Sequence, residues 1–195
     1  MNRKINNKNG FTLIELLAVI VIMGVLMMVA IPAMTRYIEN AKRDVFADTA
    51  KKYISAARYT LLSDGFQCMD PGPVSCGLSD LESNNKLFLI IPVGLIDVEN
   101  DTKKSPWGKT FGEAAAVVVK NDGTAEKPNY VYSFFGVDTA GHGIQQPIAE
   151  TDISRAAVLN NSSSSYSTIK TRGLLGHMSY IYGQNADYKQ VSGVN

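Results

Sequence analysis

The chain is poor in the residues from which enzyme sites are usually built. Among 195 residues it has two histidines, two cysteines and one tryptophan. His142 lies in a glycine-flanked turn and His177 in the segment GHMSY, so neither belongs to an HExxH pair of zinc-ligand spacing. There is no GxSxG nucleophile elbow and no GxxxxGK phosphate loop. The acidic residues are scattered without an evident pair, and the chain reads as a non-enzyme. Charge bias is missing as well: 19 basic residues stand against 18 acidic ones, without the basic excess of a general nucleic-acid binder. No internal repeat is visible.

What the chain does have is one long apolar run. From Phe11 to Met34 it covers 24 residues in which only Thr12 and Glu15 are polar. As a helix it would be about 36 Å long, enough to cross a hydrocarbon core of about 30 Å. A cleaved secretory signal has a shorter apolar region, typically about 7 to 15 residues, and ends at a small-residue site such as AxA. No AxA follows this run. Arg3, Lys4 and Lys8 precede it and favour a cytoplasmic N-terminus, which places everything after the run outside.

Glu15 is the anomaly in this span. A carboxylate at mid-bilayer costs roughly 2.5 to 3.5 kcal/mol on insertion scales, so it marks a functional position with a partner. The first basic residue after it, Arg36, lies about five to six turns away. A charge that snorkels or stays protonated at the membrane edge is the alternative without a function.

Beyond the membrane the apolar pattern continues with helical spacing. Met34, Ile38, Ala41, Val45, Thr49, Tyr53, Ala57 and Leu61 recur at steps of three or four, while Arg36, Glu39, Lys42, Arg43, Asp48, Lys51, Lys52 and Arg58 fill other faces. The first stop is the Ser63, Asp64, Gly65 cluster. This predicts one helix from Phe11 to Ser63, about 80 Å long. Gly24 and Pro32 lie inside it, and the proline, lacking a backbone donor, is expected to kink or locally open it.

With these residues in place, a resemblance can be stated. Gly10, Phe11, the TLIE segment ending in Glu15 and the following apolar helix with Gly24 and Pro32 resemble the class III signal of type IV pilins and pseudopilins. The resemblance covers only the first 25 to 35 residues. It implies cleavage by a prepilin peptidase between Gly10 and Phe11, then N-methylation of Phe11. It also implies that Glu15 guides a subunit onto a filament through the N-terminal amine of a neighbour. An ammonium supplied by another copy would neutralise the carboxylate where water is scarce. A chain cut after Gly10 keeps 16 basic and 18 acidic residues, a net charge of −2.

Cys68 and Cys76 lie in CMDPGPVSC. Outside the cytoplasm a disulfide is expected, with the Pro71, Gly72, Pro73 turn bringing the pair together. Free thiols remain one alternative. A metal pair is the other, against which stand the absence of a nearby histidine and the spacing.

The remainder is expected to be a small α+β domain with an antiparallel sheet, one face packed on the helix. Strand candidates are Leu87 to Ile96, as a short strand or buried turn, then Ala114 to Val119 and Asn129 to Val137, with a last one at Met178 to Tyr182. Thr151 to Leu159 is expected as a short helix capped by Thr151 or Asp152, and Ser162 to Ser165 as a loop. The domains are therefore a leader at 1–10, a transmembrane or filament-core helix at 11–34, its amphipathic continuation at 35–63 and an exported head at 64–195.

The loop SPWGKTF, Ser105 to Phe111, is similar to the proline, tryptophan, glycine turn of the major pseudopilins of type II secretion. There an aspartate commonly precedes the proline and calcium binds in a nearby loop. Here Ser105 takes that place, which removes an oxygen ligand a hard cation prefers. Asp97, Glu99 and Asp101 are the remaining candidate ligands, and a solvated acidic loop is the simpler alternative. Trp107 is expected to anchor the loop to the sheet. Lys103, Lys104 and Lys109 cluster around it, as a solvated loop or a small contact for polyanions. Asn160 and Asn161 fit the NxS/T acceptor pattern for glycosylation.

The resemblance as a whole implies a pilin fold. It implies a structural subunit of a type IV pilus or pilus-like filament, with no cofactor beyond the calcium candidate. Its partners would be further copies of itself, the prepilin peptidase, the assembly platform, minor pilins and the membrane. It would start as a single-pass membrane protein and end in a surface or extracellular filament. A pseudopilin of a type II secretion or DNA-uptake system is the main alternative, and a membrane-tethered binding module or enzyme is the remote one.

Overall fold

Residues 10–63, 65–69, 73–84, 86–99, 103–160 and 163–194 are described by the computed structural model. The basic leader, Asp64, the Pro71 and Gly72 of the predicted turn, Asp101, Asn161 and Ser162 lie outside them. Two compact units divide the chain, Met1–Ala41 and Lys42–Asn195. Helix α1 (Leu13–Leu62) contributes to both.

In the first unit α1 runs through Gly24 and Pro32, and a carbonyl ahead of the proline is used by the Thr35 hydroxyl, which donates to Ile31 O at 3.0 Å. None of the apolar side chains from Leu13 to Met34 is buried. The segment is long and apolar enough to cross a membrane. So much apolar surface has no stable place in water, and lipid or other helices must cover it.

In the second unit α1 turns one face to a core. Its buried residues are Phe46, Ala47, Ala50, Tyr53, Ile54, Ala57 and Leu61. Tyr53, Ala57 and Leu61 of the predicted stripe are buried as expected, whereas Val45 is exposed and Phe46, Ala50 and Ile54 also turn inward. The larger Phe46 and Ile54 win the buried face because they remove more apolar area from water. The helix stops where expected, with Ser63 N and Gly65 N both donating to Thr60 O.

A seven-stranded sheet packs on this face. Its strands are β1 (Phe66–Met69), β2 (Pro73–Cys76), β3 (Leu87–Pro92), β4 (Ala115–Asn121), β5 (Tyr130–Val137), β6 (Gly143–Ala149) and β7 (Asp187–Val194), in the order β2-β1-β7-β3-β4-β5-β6. All neighbours are antiparallel except β3 and β7, which run parallel from Leu87↔Asp187 to Ile90↔Gln190. The fold is α+β with a pilin-like layout, but its sheet is mixed rather than purely antiparallel. A short helix, α2 (Leu78–Ser83), precedes β3.

The sheet is covered on both faces, not one. Leu89, Ile91, Val117, Val119 and Phe134 face α1, whereas Ile90, Ala116, Val118, Phe135 and Val137 pack with Ile169, Leu174 and Met178 of α3 (Ser163–Tyr182). The physical reason lies in the strands themselves: LFLII and AAVVV are continuously apolar instead of alternating, as strands buried on both sides must be. Helix α3 overturns two expectations, the loop at Ser162 to Ser165 and the strand at Met178 to Tyr182. Leu174 and Met178 lie four apart and share the buried face, a spacing that suits a helix. Gly173 interrupts α3 with φ 67° and ψ 169°, a conformation open to glycine at little cost.

Residues 151–159 also depart from expectation. Instead of a helix capped by Thr151 or Asp152 there are two single 3₁₀ turns, Glu150–Asp152 and Arg155–Ala157, without side-chain caps. Extended Ser154 separates them, and Ile153 and Val158 are both buried, which a single short helix would not permit at this spacing. The segment is strapped to α1 by Arg58 with Glu150 and by Arg155 Nε donating to Asp44 Oδ1 at 2.7 Å.

Candidate functional site

The N-terminal end of α1 holds the residues that the sequence singles out. Thr12 stands just before the helix, and three hydrogen bonds join it to Glu15. Thr12 N and Thr12 Oγ1 donate to Glu15 Oε2 at 2.8 and 2.7 Å, and Glu15 N approaches Thr12 Oγ1 at 3.4 Å. This is a capping box, in which the side chains at the first and fourth positions satisfy each other's backbone donors. Glu15 therefore does have a partner in its own chain, contrary to the expectation that only another copy supplies one. The signal was legible as T-x-x-E at the head of an apolar run.

The box changes the electrostatic account of Glu15. Its carboxylate sits in the first helical turn, where the aligned peptide dipoles favour negative charge by about 0.3 to 1 kcal/mol. The first turn of a spanning helix is also where a side chain reaches the interface, so the full mid-bilayer cost does not apply. Yet every donor in the box is neutral. Among the described residues Glu15 has no cationic partner.

Gly10 and Phe11 precede the box and are exposed, Phe11 by 92%. A Cβ built on Gly10 or on Gly24 would meet nothing within 4 Å, so packing within this chain requires neither glycine. Pro32 removes one helix donor from a segment whose side chains are all exposed.

Cys68 and Cys76 are joined, with both residues buried and their Cα atoms 5.8 Å apart. The bond ties β1 to β2, the end pair of the sheet.

The Ser105 loop is organised around an acid that the sequence did not single out. Asp138 is fully buried and gathers four donors: Ser105 Oγ at 2.6 Å, Ala140 N at 2.9 Å, His142 N at 3.0 Å and His142 Nδ1 at 3.1 Å. The His142 ring stacks on Trp107, with centroids 4.6 Å apart and planes 3° apart, and Trp107 lies against Phe46. Trp107 thus anchors the loop to Phe46 of α1 and to the His142 turn rather than to the sheet, and Ser105 ties it to the acid.

A serine, a histidine and an aspartate meet here, but not as a catalytic triad. The Ser105 hydroxyl donates to the carboxylate instead of to the imidazole, so no base activates it, and Ser105 is itself buried. What the arrangement does is close a turn.

The other candidates separate. Asp97 and Glu99 are exposed, and among the described residues no three His, Cys, Asp or Glu side chains converge as metal ligands. Lys104 and Lys109 are exposed, but Lys103 donates to Ile96 O and lies 5.5 Å from the Tyr53 ring centroid, which breaks the three-lysine cluster. The Asn160 amide oxygen accepts from Arg43 Nε at 2.9 Å. His177 lies on the buried face of α3 with Nε2 3.2 Å from Gln145 O; burial, the largest influence, lowers its pKa.

Residues 5–31 match the family model described as the prokaryotic N-terminal methylation motif. No curated protein and no solved structure matches the chain. The matched segment contains Gly10, Phe11, Thr12, Glu15 and Gly24, so the chain carries the class III signal of type IV pilins and pseudopilins. The motif implies processing by a prepilin peptidase and assembly into pilus-like complexes. The apolar helix beside it fits a membrane-anchored, pilin-like precursor.

Proposed function

We propose that this chain is a structural subunit of a type IV pilus or pilus-like filament. One observation carries the proposal: a carboxylate that among the described residues is held by neutral donors alone stands four residues after Phe11, on a helix whose apolar surface is uncovered. In the precursor, Thr12 caps the helix and Glu15 is parked in the box. Cleavage after Gly10 creates an ammonium at Phe11, which is then methylated. During assembly the Phe11 ammonium of one subunit reaches Glu15 of the next, and the carboxylate exchanges neutral donors for a charged one. The ammonium neutralises the carboxylate where water is scarce, which neutral donors cannot do, so the exchange favours the assembled state.

The same step covers the helix. Apolar side chains from Leu13 to Met34 leave lipid for neighbouring copies. Gly24 allows close approach of another helix, since among the described residues no other element comes within 4 Å of where its Cβ would be. Pro32 lets α1 bend where copies pack. The head from about residue 64 forms the outside of the filament.

The Ser105 to Gly108 turn favours a second reading, a pseudopilin of a secretion or DNA-uptake system. Calcium bound by Asp97, Glu99 and Asp101 would belong to that reading. Electron microscopy with an antibody against the head separates the two, since long persistent filaments carrying this chain contradict a subunit confined to the envelope. Glu15→Val tests what both share. It should leave membrane insertion intact and reduce incorporation into filaments at least tenfold, roughly the loss expected from one charged hydrogen bond. Incorporation equal to the unsubstituted chain would refute the assembly role and favour a tethered module.

A further inference from the structure

Two glycines bracket the second half of α3. Gly173 breaks the helix with φ 67° and ψ 169°, and Gly183 follows its end with φ 90°. The first conformation is essentially closed to residues with a Cβ, and the second is the left-handed turn that often ends a helix. A Cβ at either position would meet no described residue within 4 Å, so it is backbone freedom and not space that calls for glycine.

Between these glycines, residues 174–182 form a short cover with two faces. Leu174, His177 and Met178 are buried against the sheet face that holds Ile90, Val118, Phe135 and Val137, while Leu175 and Tyr180 are exposed. At the far end Tyr182 stacks on Phe88, with centroids 4.6 Å apart, and the Tyr188 hydroxyl donates to Gly183 O at 2.6 Å. Attachment through so few groups is what locally opening segments have in common.

The buried face includes a group that can become charged. His177 Nε2 lies 3.2 Å from Gln145 O, which can only accept, so Nε2 carries the hydrogen of the neutral ring. A second proton would have to go to Nδ1, and that atom is closed off from water. The imidazolium would then be a desolvated charge. Among the described residues the facing strands offer it no carboxylate: β5 presents Phe135, and β6 presents Gln145 and Gln146. On α3 itself Tyr180 lines the same recess and Arg172 adds a like charge. Burial holds the imidazole below its ordinary value, opposed by Gln145 O and reinforced by Arg172. Proton uptake therefore requires the ring to leave its place, and the two glycines let it leave while the sheet stays folded.

We propose that residues 174–182 are an acid-released flap, closed over the sheet while His177 is neutral and swung out on Gly173 and Gly183 when the imidazole takes up a proton. Opening bares the apolar face of Ile90, Val118, Phe135 and Val137. The device belongs to the head and does not depend on whether the chain serves in a pilus or in a secretion filament. The closed state is fully favoured above the free imidazole value of about 6.5, and below it each pH unit should favour opening about tenfold until the folded value is reached.

The test follows amide hydrogen exchange of the full-length chain in detergent micelles from about pH 8 down to about pH 5, corrected for intrinsic rates. Below about pH 6.5 the amides of residues 174–182 should lose protection about tenfold per unit, and in acid they should exchange at least about tenfold faster than those of β4 and β5. His177→Gln, whose amide can donate to Gln145 O but does not titrate, should remove this pH dependence. Gly173→Ala should raise opening roughly tenfold at every pH, because the closed conformation is strained for alanine, and should leave the slope as it was. Protection in 174–182 that does not change with pH, or a slope that survives in His177→Gln, would overturn the role of His177. A common rate for 174–182, β4 and β5 would mean that the head opens only as a whole, and unchanged opening in Gly173→Ala would remove the hinge; either result overturns the flap.

Discussion

The two units of the chain use apolar residues in opposite ways. In Lys42–Asn195 the sheet is buried on both faces, by α1 and by α3, and the Phe134 ring lies 6.3 Å from that of Phe46 and 6.0 Å from that of Tyr53. From Leu13 to Met34 a comparable wealth of Leu, Ile, Val and Met is exposed throughout. The head carries its own partners. The N-terminal helix is complete only in lipid or against other helices, and among the described residues the one charge within it is met by neutral donors.

If the comparison is right, changes in one unit should leave the other untouched. The largest effect is expected from Gly10→Val. A Cβ there meets no atom of the described residues within 4 Å, so the head should melt normally. Cleavage should fail, and electrophoresis of membranes should show only the uncleaved precursor. Cleavage at the normal rate would detach Gly10 from processing.

Phe134→Ala should do the reverse. It removes a fully buried ring that stacks on Tyr53 at 6.0 Å and meets Phe46 edge-on. The head should lose about 3 to 5 kcal/mol in denaturant melts while membrane insertion and cleavage persist. Cys68→Ser comes next, because the disulfide closes only a short loop. The expected loss is about 2 to 3 kcal/mol, and reductant should reproduce it in the unsubstituted chain but have no further effect on the variant.

How much of this division was visible in the sequence depends on what each segment must satisfy. The spanning run, the Gly10–Phe11 junction, the cysteine pair and the strands near 87–92, 115–121 and 130–137 were legible because each is a local pattern of composition or spacing. The Thr12–Glu15 box was equally local and was passed over, since attention to a charged partner hid a neutral one. Strands β1, β2, β6 and β7 were not found. Pro147 makes β6 read as a non-strand, and only its place at the sheet edge reconciles the two. β7 divides its pairing between parallel β3 and antiparallel β1, a choice made by tertiary structure.

Helix α3 was lost because serines at its start and Gly173 within it both resemble loop signals. Asp138 was hidden for a different reason. Its donors come from Ser105 as well as from its own turn, and no sequence spacing announces a meeting across 33 residues.

The smallest effect concerns pH and falls on the head alone. His177 has its pKa lowered, chiefly by burial, so the unfolded chain takes up a proton before the folded one does. Its contribution to stability is complete above the unfolded value of about 6.5 and is lost as pH falls from there toward the folded value. Denaturant midpoints should therefore decline across that window, and His177→Gln should flatten the decline. A steeper decline in the variant would reverse the assignment.

The central claim is that the N-terminal helix is processed to make its own charged partner, and the mass of the mature N-terminus tests it most directly. Intact-mass and N-terminal fragment analysis of the chain from native membranes should find a protein that begins at Phe11 with a methylated amine. Retention of Met1, or a cut beyond Ala33 that discards Glu15 with the helix, would contradict the account.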